Sequence, residues 1–172
     1  EMLRSEKNLG FSGGNNFGIR NSWNLSTDFF LILNNDTVVD EMFLKNLIEE
    51  ALQNPRVGIL SSLIYDYSDR GKVVFSDLYM SRLRGPVYQP NHDKNFSVNK
   101  PFKTQLLSGC SMLVRKKVFD DIGLFDEQYF LYFEDADLSY RTNKNSWELM
   151  VVPNSKIWHK GNVATARNMN RD

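Results

Sequence analysis

The 172-residue sequence predicts a single domain of the α/β class, and three stretches carry that expectation. In "DFFLILNND" the apolar run Phe29 to Leu33 is continuous rather than alternating, as in a strand buried on both faces. Leu44, Leu47, Ile48, Ala51 and Leu52 then share one face of a helix that Asp40 can cap and Asn54-Pro55 ends. "VGILSSLIYD", residues 57–66, is a second buried strand. Strand, helix and strand at this spacing form a βαβ unit, which predicts a mixed, mainly parallel sheet flanked by helices, with a right-handed crossover.

The remaining elements follow in chain order. Residues 5–22, "SEKNLGFSGGNNFGIRNS", are rich in Gly and Asn and predict a shaped loop leading into a short helix. After the second strand, "DYSDRGK" is a turn and "VVFS" a short strand. Residues 77–103 are polar and aperiodic, with Gly85, Pro86, Pro90 and Pro101, and predict a variable loop or lid. "LLSGCSMLVR" returns to strand character, and "KKVFDDIG" is a short helix closed by Gly123. "LFDEQYFLYF" leads into a helix from Glu134 to about Asn143, its aromatics expected in the core and in a pocket wall. "WELMVV", ended by Pro153, and "KIWH" are two further strands.

Composition excludes several function classes. Lys+Arg and Asp+Glu both number 21, so net charge is zero and gives no electrostatic argument for nucleic acid as a partner. Cys110 is the single cysteine, so neither an intrachain disulfide nor a thiolate metal cage can form, and a reducing, cytoplasmic compartment is expected. The apolar runs are too short to span a bilayer.

In an open α/β sheet, ligands bind beyond the carboxyl ends of the strands, where Asn34, Asn35 and Asp36 lie. A carboxylate among amides suits a hard divalent cation such as Mg²⁺ or Mn²⁺; the same residues also suit a plain turn. The glycines at 10, 13, 14 and 18 match neither a P-loop nor G-x-G-x-x-G. Around Gly13 and Asn15, backbone N–H groups at a helix start can hold an anion, and tight packing of the loop on the sheet fits equally.

Glu134, Asp135 and Asp137 crowd the start of the late helix. Asp137 and Arg141 are four apart, the spacing of a surface ion pair. Glu134 and Asp135 fit two readings: plain N-terminal helix charge, or a carboxylate that takes a proton from a substrate hydroxyl. "DADLSYRTNKNS" starts like an EF-hand but has Tyr140 and Ser146 where Gly and Glu are required. A D-x-D-x-S phosphatase reading leaves too little chain after Asp135 for the rest of that fold. His159 in "KIWHKG" is a transition-metal ligand or a structural histidine.

The order "NLGFSGGNNFGIR", "FLILNNDT", "LLSGCSMLVRKKVFDDIGLFDEQYFLYFEDADLSYR", "PNSKIWHKG" resembles family 2 glycosyltransferases of the rhamnosyltransferase-like type. The resemblance implies a GT-A fold and an inverting, metal-dependent transfer from a nucleotide-diphospho-sugar to a hydroxyl of a glycan or lipid-linked acceptor. By position it implies Asp36 and His159 at a Mg or Mn site, with Asn34, Asn35, Gly13, Asn15 and Gly109 around the donor. It implies Asp135 as general base, with Glu134 orienting the acceptor or the base. Family members open with an apolar strand, a helix and a base-binding element that this chain begins after. An incomplete GT-A fold is therefore expected, either as part of a longer protein or with its open sheet edge covered by a second copy, in the cytoplasm or at the inner face of a membrane. The rival expectation is a non-catalytic sugar- or nucleotide-binding fragment or scaffold.

Overall fold

A computed structural model describes residues 2–75, 78–81, 85–88 and 99–161. The elements run α1 (Gly10–Ser22), β1 (Phe29–Leu33), β2 (Thr37–Val39), α2 (Phe43–Gln53), β3 (Val57–Asp66), β4 (Val73–Phe75), β5 (Leu78–Ser81), β6 (Gly85–Tyr88), β7 (Phe102–Thr104), β8 (Ser111–Arg115), α3 (Lys116–Ile122), α4 (Glu134–Lys144) and β9 (Glu148–His159). The main sheet has the order β1-β8-β3-β9-β2, with β4 on β3 and β7 on β9. α1, α3 and α4 cover one face through Ile19, Val118, Phe119 and Leu138; α2 covers the other through Leu47 and Ala51. Ile59 and Leu63 of β3 face the first layer while Val57 and Leu60 face the second, which explains the unbroken apolar run.

Four expectations change. β1 and β3 do not pair with each other, because β8 lies between them, antiparallel to both. They run in the same direction one strand apart, and β3–β9 is the parallel ladder among the described strands, so pairing is mainly antiparallel. The apolar run fixes burial of β3 but carries no mark of a neighbour that arrives about 50 residues later. Second, α1 begins at Gly10, so most of the Gly/Asn segment is helix rather than loop. Third, part of the 77–103 stretch is ordered: β5 and β6 form a hairpin and β7 pairs with β9. Residues 77, 82–84 and 89–98 of the expected lid lie outside the described residues.

Fourth, Pro153 does not end a strand. β9 continues from Glu148 to His159, and its partner on β3 jumps from Ser62↔Val152 to Leu63↔Lys156. Residues 153–155 are a bulge, where a residue without an N–H costs the ladder least. The bulge is fastened by a buried relay. Ser111 Oγ donates to Ser62 Oγ (3.2 Å), Ser62 and Ser155 hydroxyls bond at 2.7 Å, and Ser155 Oγ donates to the Phe43 carbonyl (2.8 Å). Every buried hydroxyl in the relay has a partner, so it pins register without a desolvation loss. The redirected end of β9 then pairs with β2, His159 opposite Thr37. β2, three residues long, carries no periodic signal of its own in the sequence.

Candidate active site

The site is assembled at the end of β1. Asn34 N–H donates to the Cys110 carbonyl (3.0 Å), which extends β1 onto the turn before β8. Thr37 Oγ1 donates to the Asn34 carbonyl (2.7 Å) and closes the Asn-Asn-Asp turn. Lys160 N–H donates to the Asp36 carbonyl (3.0 Å), so the end of β9 is tied to that turn. His159 Nε2 lies 3.0 Å from Asp36 Oδ1 and 3.4 Å from Asn34 Nδ2. One ring nitrogen cannot both donate to the carboxylate and accept from the amide. Three polar side chains thus converge on one point with more partners offered than that nitrogen can use.

Asp36 and His159 are a hard oxygen and an imidazole nitrogen, a donor set that fits Mg²⁺ or Mn²⁺ when diphosphate and water supply the remaining ligands. Among the described residues, no group of three or more His, Cys, Asp and Glu forms a closed metal cage. The Cys110 thiol beside this point is pushed up to about 12, by burial first and by the Asp36 carboxylate second, and stays protonated.

A second carboxylate meets the same turn from the other side. Gly109 N–H donates to Asp135 Oδ2 (3.0 Å), and Ala136 N–H donates to Asp135 Oδ1 (2.8 Å). Each carboxylate oxygen retains a free lone pair. Gly109 is needed for space rather than for φ. A Cβ there would sit 2.8 Å from Cζ of Phe11, the second residue of α1. Gly109 and Cys110 therefore link the Asp36–His159 end of the site to the Asp135 end by two adjacent backbone hydrogen bonds.

The three acids of α4 separate completely. Asp137 Oδ2 binds Arg141 Nη2 at 2.7 Å, as the four-residue spacing predicts. The pair is half-buried, and Arg141 also donates to the carbonyls of Ile122 (2.9 Å) and Leu124 (3.0 Å), so it clamps the end of α3. Glu134 is 5% exposed, and its Oε2 has no hydrogen-bond partner. Burial pushes its pKa up, with a further push from the Asp135 charge. A carboxyl that holds its proton more tightly folded than unfolded makes stability fall as pH rises from its ordinary value towards its folded one. Glu134→Gln keeps the shape and removes this loss, so its thermal midpoint at pH 7 should exceed the parent's. At pH 4 the two should converge; a constant difference from pH 4 to 8 in melting curves would reject the assignment.

Of the aromatics before Glu134, Phe125 is core, but Phe130, Tyr132 and Phe133 are not. Phe130, Leu131, Tyr132 and Phe133 are all more than half exposed, and Tyr132 (φ 73°) and Phe133 (φ 69°) adopt left-handed backbone. Such backbone is strained for bulky side chains. It turns the chain so that α4 starts with Glu134 covered and Asp135 against Gly109. The turn is held from α1: Phe11 N–H donates to the Phe130 carbonyl (2.9 Å) and Ser12 Oγ to the Tyr129 carbonyl (2.6 Å).

Gly13 and Asn15 contact α1 itself and the 125–130 segment rather than this centre. A Cβ on Gly13 would meet Leu9 at 3.0 Å and Glu127 at 3.9 Å, and Asn15 Nδ2 donates to the Phe11 carbonyl (2.9 Å). Asn35 lies in the turn between Asn34 and Asp36. The Gly/Asn segment's principal polar residue is Asn16, which the sequence reading passed over. It is fully buried and bonds both the N–H (3.1 Å) and C=O (2.9 Å) of Phe125. Its position on the covered face of α1, one turn from Ser12, is a signal only once the segment is known to be helical.

A model of the family described as "Glycosyltransferase like family 2" matches residues 2–171. The chain belongs to this family. Among curated members, it is 31% identical over 153 residues to the N-acetylglucosaminyl-diphospho-decaprenol L-rhamnosyltransferase of Mycobacterium tuberculosis, covering 81% of this chain and 49% of that protein. It is 28% identical to a low-salt glycan biosynthesis hexosyltransferase of Haloferax volcanii (84% and 46% covered). It is 21% identical to a dTDP-rhamnosyl transferase of Shigella flexneri (89% and 49% covered). This family 2 chain thus spans about half the length of the curated relatives it matches. The crystal structure of GalNAc-T7 with UDP, GalNAc and Mn²⁺ superposes with a TM-score of 0.69 at 14% identity, over 91% of this chain and 31% of that one. The α/β architecture is therefore the GT-A fold, as the motif order implied. Among the described residues of this family member, no helix is long and apolar enough to cross a membrane.

Proposed function

We propose that this chain forms the catalytic core of an inverting, metal-dependent glycosyltransferase. It moves a sugar from a nucleotide-diphospho-sugar to a hydroxyl of a glycan or lipid-linked acceptor. One observation carries the reading: the Gly109-Cys110 turn bonds Asp135 on one side and Asn34 on the other, while Asn34, Asp36 and His159 converge beyond it. The names of the relatives support the substrate classes, one with a dTDP-rhamnosyl donor and one with a diphospho-decaprenol acceptor.

In this mechanism Asp36 and His159 would hold the cation, with Asn34 and Asn35 beside the donor. When bound, the cation neutralises charge on the diphosphate leaving group. Asp135, fixed by two backbone N–H groups, takes the proton of the acceptor hydroxyl as that oxygen attacks the sugar carbon. A single base on the face opposite the leaving group gives inversion. Glu134, buried beside Asp135, helps orient the base, and Phe11 against Gly109 keeps the turn from shifting. Gly13 and Asn15 lie on α1, whose Phe11 backs that turn, and their part in this reading is on the donor side. Mg²⁺ or Mn²⁺ is the cofactor of this reading, and its site acts at a membrane face when the acceptor is lipid-linked.

Asp36→Ala tests the metal role. The variant should lose the Mn²⁺-dependent increment in nucleoside diphosphate affinity, on the order of tenfold or more in calorimetry, while folding normally. Equal affinity with and without Mn²⁺ in the parent, or an undiminished increment in the variant, would overturn it.

A further inference from the structure

Beside the Asp36–His159 pair, two cations have no carboxylate partner among the described residues. Arg70 lies in the turn between β3 and β4, and its guanidinium sits 5.6 Å from the Tyr67 ring centroid and 5.4 Å from that of Trp158. Lys160 Nζ sits 5.3 Å from the same Tyr67 ring. The scaffold is tied to the metal end of the site. Tyr67 N–H donates to the His159 carbonyl (3.1 Å), Lys160 N–H to the Asp36 carbonyl (3.0 Å), and Trp158 Nε1 to the Arg70 carbonyl (3.3 Å). Tyr65 stacks on Trp158 at 6.1 Å and backs the platform.

Two nearby acids, Asp66 and Asp36, are engaged elsewhere, and Asp69, next to Arg70 in sequence, makes no ion pair with it. Asp66 Oδ1 accepts from Ser68 N–H (2.8 Å), Ser68 Oγ (2.5 Å) and Asp69 N–H (3.2 Å), and Asp36 faces His159. Among the described residues, neither Arg70 nor Lys160 forms an ion pair. Aromatic faces restrain both charges without neutralising them. Two like charges held around one ring repel each other, and an anion with charge on several oxygens relieves that repulsion by bonding both. A guanidinium already restrained by contact with two rings loses less freedom on binding, and its fork matches phosphate oxygens.

We propose that Arg70 and Lys160, mounted on Tyr67 and Trp158, form a diphosphate clamp beside the metal-binding pair. The clamp rests on the functional reading above for its role, and on its own geometry for its affinity. The ligand chemistry is a phosphoanhydride, which the donor carries as a nucleoside diphosphate and a lipid-linked acceptor carries as a prenyl diphosphate.

Calorimetry of the chain with inorganic pyrophosphate in EDTA isolates the clamp from the metal site. The parent should bind, and more weakly as NaCl is raised. Arg70→Ala and Lys160→Ala should each weaken binding about fivefold and the double variant at least about tenfold. Tyr67→Leu, which keeps both charges, should weaken it less than the double variant does. Lys45→Ala, on the exposed face of α2, should change nothing. Asp36→Ala should leave this metal-free binding intact even where it removes the Mn²⁺-dependent increment, so failure of the clamp and failure of the metal reading give different results. Repeating the titrations with a nucleoside diphosphate and with a short prenyl diphosphate assigns the source: the ligand whose affinity falls in the double variant is the one the clamp holds. No pyrophosphate binding by the parent, or unchanged affinity for all three probes in a double variant whose circular dichroism and melting match the parent, would overturn the proposal.

Discussion

Asp135→Asn is expected to lower sugar transfer by about a thousandfold while nucleoside diphosphate affinity stays within about twofold. The carboxamide fills the same space next to Gly109 and Ala136, so the backbone around it has no reason to move. It cannot take a proton from the acceptor hydroxyl, and that hydroxyl is a weak nucleophile without a base. Asp137→Asn should give the opposite profile. Asp137 is bound to Arg141, whose other donors hold the carbonyls of Ile122 and Leu124, so its loss acts on the α3–α4 junction. Turnover at moderate temperature should stay within about threefold while stability falls by about 1 kcal/mol. The pair of variants separates chemistry from scaffolding among acids two residues apart. Steady-state rates with a nucleotide-sugar donor and a glycan acceptor, beside denaturant midpoints, supply both readouts. Undiminished turnover in Asp135→Asn would reject the base assignment, and equal rate losses in the two variants would show that the acids act as one structural unit.

The division among these acids was only partly legible in the sequence. Spacing alone marks Asp137, because Arg141 lies one helical turn away on the same strip of α4. Asp135 and Glu134 carry no such local mark. Their difference is made by Gly109, 26 residues earlier, and by two left-handed aromatics that no propensity scale would place there. The aromatic run shows the same limit: its composition points to core, yet a strained turn leaves it in solvent. The buried strands β1 and β3 were legible as strands because both faces are covered. Their separation by β8 was not, since an apolar strand looks alike whichever partner it takes. Pro153 illustrates a rule overruled by tertiary structure. It marks the strand correctly as irregular, but the serine relay beneath it turns an expected stop into a bulge. That bulge delivers His159 to Asp36, so the Asp36–His159 pair depends on a feature whose sequence sign pointed the other way.

Asn16→Ala is expected to be the most destabilising single change near the site. Asn16 is fully buried, and its amide satisfies both backbone groups of Phe125 as well as Glu127 Oε1 (2.9 Å). Alanine leaves the Phe125 N–H and C=O without partners, at a cost of about 1–3 kcal/mol for each group that stays buried and unpaired. A total loss of about 3 kcal/mol corresponds to a fall in melting temperature of roughly 6–12 °C for a chain of this size. Glu127 keeps Arg20 at 2.8 Å but loses the Asn16 hydrogen bond, the largest single cause holding its carboxyl below the usual range. Its titration should therefore move upward, which carbon-detected NMR can follow separately from stability. Asn15→Ala is the matched control. Its amide bonds only the Phe11 carbonyl of its own helix turn, so the cost should stay below about 0.5 kcal/mol. The effect of Asn16 should reach catalysis without any contact to substrate. Phe125 packs edge-on against Phe11 at 5.8 Å, Phe11 rests on Gly109, and Gly109 holds Asp135. At a temperature where the variant is still folded, its transfer rate should fall while nucleoside diphosphate affinity holds, a weaker copy of the Asp135→Asn pattern. A variant that melts within about 2 °C of the parent would show that water or a shifted side chain replaces the amide. A variant that melts low but transfers sugar at the parent rate would break the link from α1 to the base.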